Sequence, residues 1–274
     1  MTETSKLKDC RTIRLFKYVR PERVDILENQ QIRFTPPKEF NDALDTRVRV
    51  VPLTNRAILK SRAKAHEAAV IRSLPPEFHM KSRAERRKIE RELLKGSIKH
   101  MQKNADAIAN NIEKNVYSRI NELFGVLCLT GSFNNRLMWG NYADGDRGFM
   151  IEFDAKQPRF GPGVLHQIIY SEEPPTYDPA IGSDGWWKVK SKDWEYECEY
   201  RVVAQLRDCE QKIVDGQTIY LRQLPHNCVK SIYMGLAMEG GIKKRLMEIC
   251  KPSGIKLFET VISSRRTPYE FHEV

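Results

Sequence analysis

The chain has 274 residues, a hydrophobic fraction of 41% and a formal net charge of +10. That is ample length for a buried core, and the charge points to an anionic partner, nucleic acid ahead of an acidic protein. No run of about 18 apolar residues exists, which excludes a helical membrane span, and Met1-Thr-Glu-Thr-Ser-Lys6 lacks the apolar core of a signal peptide. The cysteines at 10, 128, 198, 209, 228 and 250 are scattered, with no Cys-x-x-Cys, and His226-Asn-Cys228 is a single poor pair. Reduced thiols in a cytoplasm are therefore expected, with neither a disulfide framework nor a structural zinc site.

Taken in order, Ile13–Tyr18 reads as a short strand. Pro21 suits a first helical turn, and Val24, Ile26 and Leu27 give a brief apolar helix. Gln31–Phe34 reads as a second strand, stopped by Pro36-Pro37. The loop from Thr35 to Asp42 holds Pro, Asn and Asp for turns, with Phe40 as its anchor. Strand, short helix, strand and ordered loop would cradle a substrate, although any α/β protein uses the same unit.

From Arg56 to Ile120 the texture becomes helical and basic. Leu74-Pro75-Pro76 splits off a first helix, and Ser82 with Glu85 forms a capping box that opens a second through about Leu94. Ile98, Met101, Ala105, Ile108, Ile112, Val116 and Ile120 step by three and four, the stripe of one long helix. Residues 56–120 contain 16 Lys/Arg against 7 Asp/Glu, so nearly all of the chain's excess charge sits there. A solvated helical face and a binding surface are both open readings. For binding, the densest group is Arg83, Arg86, Arg87, Lys88 and Arg91, where spacings of three and four share a face.

The chain then returns to β. Phe124–Thr130 is an apolar run of buried-strand length, Phe149–Asp154 and Val164–Tyr170 read as strands, and Thr218–Leu221, Val229–Met234 and Ile255–Val261 as further ones. Gly240-Gly241 precedes a helix through about Cys250, ended by Pro252. The pattern is α+β: a mixed β core, residues 1–55 and 121–274, interrupted by a basic helical insertion at 56–120.

Within that core, Trp194-Glu-Tyr-Glu-Cys-Glu-Tyr-Arg-Val-Val203 alternates with the period of a strand. Glu195, Glu197 and Glu199 would then share one face, and like carboxylates held close push at least one pKa upward. Lys190, Lys192 and Arg201 would make a merely structural edge strand tolerable. A rival site lies at Glu152-Phe-Asp154-Ala-Lys156, the shape of a magnesium-dependent nuclease centre. A third possibility is a nucleic-acid-binding module without activity, in which the acidic strand is only structural.

Leu15-Phe-Lys-Tyr18, Phe34-x-x-Pro37-x-x-Phe40-Asn-Asp42, Leu137-Met-Trp-x-x-Tyr-Ala143, Gly148-Phe-x-Ile-Glu-Phe-Asp154 and Trp194-x-Tyr-Glu-x-Glu-x-Arg201 resemble, in order, the signature of a bacterial family catalogued as a domain of unknown function. The chain is also similar to the mono-ADP-ribosyltransferase superfamily, which includes toxins that modify nucleic acids. That resemblance implies an ADP-ribosyltransferase-like fold and NAD as ADP-ribose donor. It puts Glu199 at the catalytic position, with Glu197 completing a Glu-x-Glu pair. Lys17 stands where His or Arg is usual, with Tyr18 beside it, and Arg33-Phe-Thr35 stands in for a Ser-Thr-Ser strand. Thr35, Phe40, Asn41 and Asp42 would complete the NAD pocket, and Tyr18, Trp139 and Tyr142 would sandwich the nicotinamide. The implied role is a toxin or phage-defence enzyme of the cytoplasm acting on nucleic acid, RNA ahead of DNA, with a neutralising protein partner.

Overall fold

The structure, a computed structural model, describes residues 14–50, 56–154, 164–178, 182, 185–262 and 269–274. The chain forms two compact units: Met1–Asp45, Ile120–Glu173 and Trp187–Val274 make the first, Thr46–Arg119 and Pro174–Trp186 the second.

The first unit is built on an eight-stranded mixed sheet. Its strands are β1 (Leu15–Val19), β2 (Phe124–Thr130), β3 (Phe149–Phe153), β4 (Leu165–Gln167), β5 (Glu199–Gln205), β6 (Val229–Met234), β7 (Lys256–Val261) and β8 (Glu270–Glu273). Their order across the sheet is β8-β7-β6-β3-β1-β2-β5-β4. Among the described residues of this sheet only β6 and β7 pair in parallel, and the helix Gly240–Ser253 between them supplies the crossover that a parallel pair requires.

Both faces of the sheet are covered. β3 is buried at all five positions, so apolar side chains stand on both of its faces with Glu152 as the exception. On one face Leu15, Leu127, Ile151, Val202 and Ile232 pack against Val24, Ile26, Leu27, Phe34 and Leu246. On the other, Phe16, Tyr18, Met150 and Tyr233 meet Met138 and Trp139 of the helix Arg136–Tyr142. Gly148, just before β3, has to be glycine: a Cβ there would lie 2.0 Å from the Val19 carbonyl oxygen.

One discontinuity positions the site. β1 pairs with β3 over five residues but meets β2 only at Phe16 opposite Thr130. Further along β2, Val126 bonds with Thr35 instead, N–H to carbonyl in both directions at 3.0 and 2.9 Å. The sheet therefore opens between β1 and β2.

Several expected elements change form. Trp194–Val203 is not one strand: Lys192–Glu197 is a 3-10 turn, Cys198 sits in the left-handed region at φ 46°, and β5 begins at Glu199. Ser191 starts the turn by accepting a hydrogen bond from the Asp193 N–H. Three-residue periodicity then puts Trp194 and Glu197 on one side, while Glu195 points to solvent. The strand expected at 164–170 breaks at Ile168, and Ile169–Ser171 pairs with Val189–Ser191. A hairpin strand at Glu210–Val214 was not foreseen, although its Asp215-Gly216 turn, both residues at positive φ, is a sequence signal for one.

The second unit holds the helices Arg56–Arg72, Pro76–His79 and Arg83–Lys103, and Ala105–Leu123 begins in it. It is wider than the segment 56–120, because Arg49–Val50 pairs with Thr176–Tyr177. Both hydrogen bonds of the Ser82/Glu85 capping box are present. The helix it opens runs on to Lys103, and the expected long stripe is divided there: Asn104 leaves helical geometry and its amide donates to the His100 carbonyl.

Candidate active site

A cavity of about 480 Å³ occupies the opening between β1 and β2. Lys17 and Tyr18 reach it from β1, Thr35, Phe40, Asn41 and Asp42 from the loop after Gln31–Arg33, and Tyr142 from the end of its helix. Glu197 and Glu199 complete it. Sequence reasoning thus selected a set that the fold brings together, with one correction. Trp139 is wholly buried, packed edge-on against Tyr18 with centroids 5.1 Å apart, and lines no part of the cavity.

The acidic end of the cavity is an ionic cluster. Lys190 Nζ lies 2.6 Å from Glu197 Oε2 and 3.0 Å from Glu199 Oε2, and its charge also sits over the Trp194 ring at 4.9 Å. Arg201, fully buried, grips Glu199 through Nε at 2.7 Å and Nη2 at 3.0 Å. The same guanidinium forks onto Asp45, with Nη1 at 2.9 Å, and stacks over Phe40 at 5.5 Å. Three buried carboxylates thus face two buried cations, leaving one negative charge in excess.

The two glutamates differ in electrostatic state. Burial pushes the Glu199 carboxyl up, but the charge and hydrogen bonds of Arg201, with Lys190, outweigh it and hold the group down at about 2. Burial wins at Glu197, whose pKa is raised despite Lys190 and Tyr142. Repulsion from Glu199 adds only a small part of the rise at Glu197, which burial dominates, and a 3-10 turn and a strand start, not one strand face, bring the Glu-x-Glu pair together.

Backbone contacts fix the geometry. Thr130 Oγ1 donates to the Glu197 carbonyl, and the Tyr170 hydroxyl accepts from the Glu199 N–H at 2.7 Å. Asn135 caps the helix Arg136–Tyr142 and donates to the Tyr196 carbonyl at 3.0 Å, while Asn141 donates to the Tyr196 hydroxyl at 3.1 Å. Tyr142, on that helix, then donates to Glu197. The Tyr18 hydroxyl, donating to the Ser132 carbonyl and accepting from the Asn135 N–H, ties β1 to the same helix.

Cations reach the cavity from β1 and the turns near it. Lys17 donates to the Cys128 carbonyl at 2.9 Å, and burial lowers its pKa. Arg20, Arg23 and Arg33 also line the cavity; Arg23 is paired with Asp25 at 2.9 Å and Arg33 with Glu39. Asp42 accepts from the Leu44 N–H at 2.8 Å, a turn contact as well as a lining position.

Nothing in the sequence singles out Asp45, and it offers Lys190 and Arg201 only as compensating charges. Arg201 closes the Trp194-x-Tyr-Glu-x-Glu-x-Arg motif, so its signal was present. Asp45 had none, since it meets Arg201 across 156 positions of sequence.

The rival carboxylates are committed elsewhere. Arg14 grips Glu152 at 2.8 and 3.0 Å and Tyr233 donates to it at 2.8 Å, while Asp154 pairs with Lys230 at 3.2 Å. Lys156 lies outside the described residues. Among the described residues no group of three or more His, Cys, Asp or Glu side chains is arranged to hold a metal ion.

Arg83, Arg87 and Arg91 are exposed at steps of four on the Arg83–Lys103 helix, with Arg86 half-buried and Lys88 exposed beside them. No helix among the described residues is long and apolar enough to cross a membrane. Comparison of the chain with protein-family models, with curated proteins and with solved structures finds no match in any of the three.

Proposed function

We propose that this chain is an NAD-dependent ADP-ribosyltransferase with an ADP-ribosyltransferase-like core, acting on nucleic acid, RNA ahead of DNA, as a toxin or phage-defence enzyme of the bacterial cytoplasm. The observation that carries the reading is the pair Glu197 and Glu199, both buried, sharing Lys190 at one end of the β1–β2 cavity. NAD joins a pyrophosphate anion to a pyridinium cation, and the cavity offers cationic Lys17, Arg20 and Arg23 together with a carboxylate cluster in negative excess. Its volume of about 480 Å³ lies within the usual range for small-molecule sites.

The residues divide the work. Cleavage of the nicotinamide–ribose bond develops positive charge on the sugar. Glu199 stays ionised at neutral pH because Arg201 and Lys190 hold its pKa near 2, and a fixed carboxylate in a water-poor site stabilises such charge. Glu197, whose raised pKa makes it the readier proton acceptor, suits deprotonation of the incoming nucleophile. Lys17 supplies a point charge to the pyrophosphate. Tyr18, Phe40 and Tyr142 give aromatic walls.

The test is incubation with labelled NAD and either RNA, DNA or whole-cell extract. Glu199→Gln and Glu197→Gln should each lower labelling at least about 100-fold, with circular dichroism confirming that each variant is folded. Labelling equal to wild type in both variants overturns the assignment.

A further inference from the structure

A second cavity lies wholly within the helical unit, a groove of about 1040 Å³ along the Arg83–Lys103 helix. Its floor is apolar, formed by Ile89, Leu93, Met101 and Ile108. That floor is unfinished core: the Arg83–Lys103 helix has no buried residue, and Ile89, Leu93 and Met101 are each only half-buried. A stripe at steps of three and four on a helix gains its stability from a covering partner.

The charge around the groove states what kind of cover fits. Glu92 is neutralised by Lys95 at 3.0 Å and Glu85 keeps its charge in the Ser82 cap, while Lys81 and Lys88 are both exposed, so the walls retain one positive charge in excess. The segment 56–120 around it carries nine more basic than acidic residues. A second copy of the chain would bring like charge to like charge. Nucleic acid would answer the charge but leave the floor uncovered. The arginines suited to phosphate step along another face, at Arg83, Arg87 and Arg91.

We propose that this groove docks an acidic amphipathic helix of a protein partner, its apolar stripe on Ile89, Leu93 and Met101 and its carboxylates toward Lys81 and Lys88. This is the helix-in-groove mode, in which apolar anchors give affinity and flanking charges give orientation. It does not rest on the NAD chemistry, since the groove shares no residue with the β1–β2 cavity.

The test uses the full chain and a fluorescent three-heptad peptide with leucine at a and d and glutamate at the flanking positions. Fluorescence anisotropy compares it with a peptide whose leucines are serines, and with single-stranded RNA as competitor. Wild type should bind the leucine peptide at least ten times more tightly than the serine peptide. Lys88→Glu, an exposed change that leaves the fold intact, should weaken binding several-fold, and Leu93→Asp at least tenfold. Neither variant should alter NAD binding, so a failure here is separate from a failure of the transferase reading. Equal affinity for the two peptides, indifference to Lys88→Glu, or displacement of the peptide by RNA that itself requires Leu93 would each overturn the proposal.

Discussion

At the scale of single residues, Arg201 is the hinge of the site. It holds Asp45, Phe40 and Glu199 at once, so loop and strand are set by one planar group. A lysine cannot fork in two directions, and Arg201→Lys should lose the loop's order before it loses the sheet. Hydrogen exchange of residues 38–45 would rise if so, with β2 and β5 unchanged. Glu199 has a pH signature. Its folded pKa near 2 lies below the ordinary 4.5, so it contributes stability above pH 4.5 that is lost as pH falls toward 2. The shift corresponds to about 3 kcal/mol. Glu197 has the opposite sign: its raised pKa adds stability below its unfolded value, fading as pH rises through the folded one. Urea titrations from pH 7 down to 2.5 should therefore show wild type weakening more steeply below 4.5 than Glu199→Gln, which keeps only the acid dependence of carboxylates such as Glu152 that their own partners hold low. At pH 7 that variant should be about 3–5 kcal/mol less stable, because Arg201 and Lys190 lose a buried carboxylate. A wild-type curve that is flat in acid would deny the ionised Glu199.

At the scale of elements, the opening between β1 and β2 makes Lys17 available. A lysine in the middle of a fully paired strand would be out of place; here it spans the gap to the Cys128 carbonyl and faces the cavity. Lys17→Ala should weaken NAD binding about 10- to 100-fold, the worth of a charge-assisted contact of about 1.5–3 kcal/mol. Isothermal titration against wild type checks this, and unchanged affinity removes Lys17 from the site. Much of this was legible in the sequence, for local reasons. An apolar run marked β2, short strand-like segments marked β3 and β6, and Pro, Asn and Asp marked the Thr35–Asp42 loop. The misreadings have one cause, that a short run satisfies two periods. Aromatic and acidic residues alternating from Trp194 to Tyr200 fit a strand until the Ser191 cap and the left-handed Cys198 are known. Trp139 and Tyr142 both look like cavity aromatics, yet Trp139 packs in the core against Tyr18 and only Tyr142 reaches the cavity. Asp45 and the opening itself depend on pairings between distant segments, which no local pattern announces.

At the scale of the whole molecule, chemistry and charge are segregated by unit. The β1–β2 cavity and all its carboxylates belong to the first unit, and the excess of nine basic residues over 56–120 lies almost wholly in the second. An enzyme needing only NAD and a small acceptor has no use for such a helical surface, whereas a polyanionic acceptor gains affinity from every counterion it releases. Arg83, Arg87 and Arg91, exposed at steps of four, present that surface with Arg86 and Lys88 beside them. Changing Arg86, Arg87 and Arg91 to Glu should abolish nucleic-acid binding and modification while leaving NAD hydrolysis at the wild-type rate. Because Arg86 is half-buried, circular dichroism of the triple variant separates loss of the surface from loss of fold, and Arg87→Glu with Arg91→Glu, both exposed, should show the same trend. Wild-type affinity for RNA should fall linearly on a plot of log affinity against log salt, with a slope of about −0.7 for each phosphate neutralised on a single strand. The triple variant should flatten that slope by about two to three phosphates. Modification of nucleic acid by the variant at the wild-type rate would mean that this arginine face serves no acceptor, and that the charge of the second unit answers to the acidic protein helix alone.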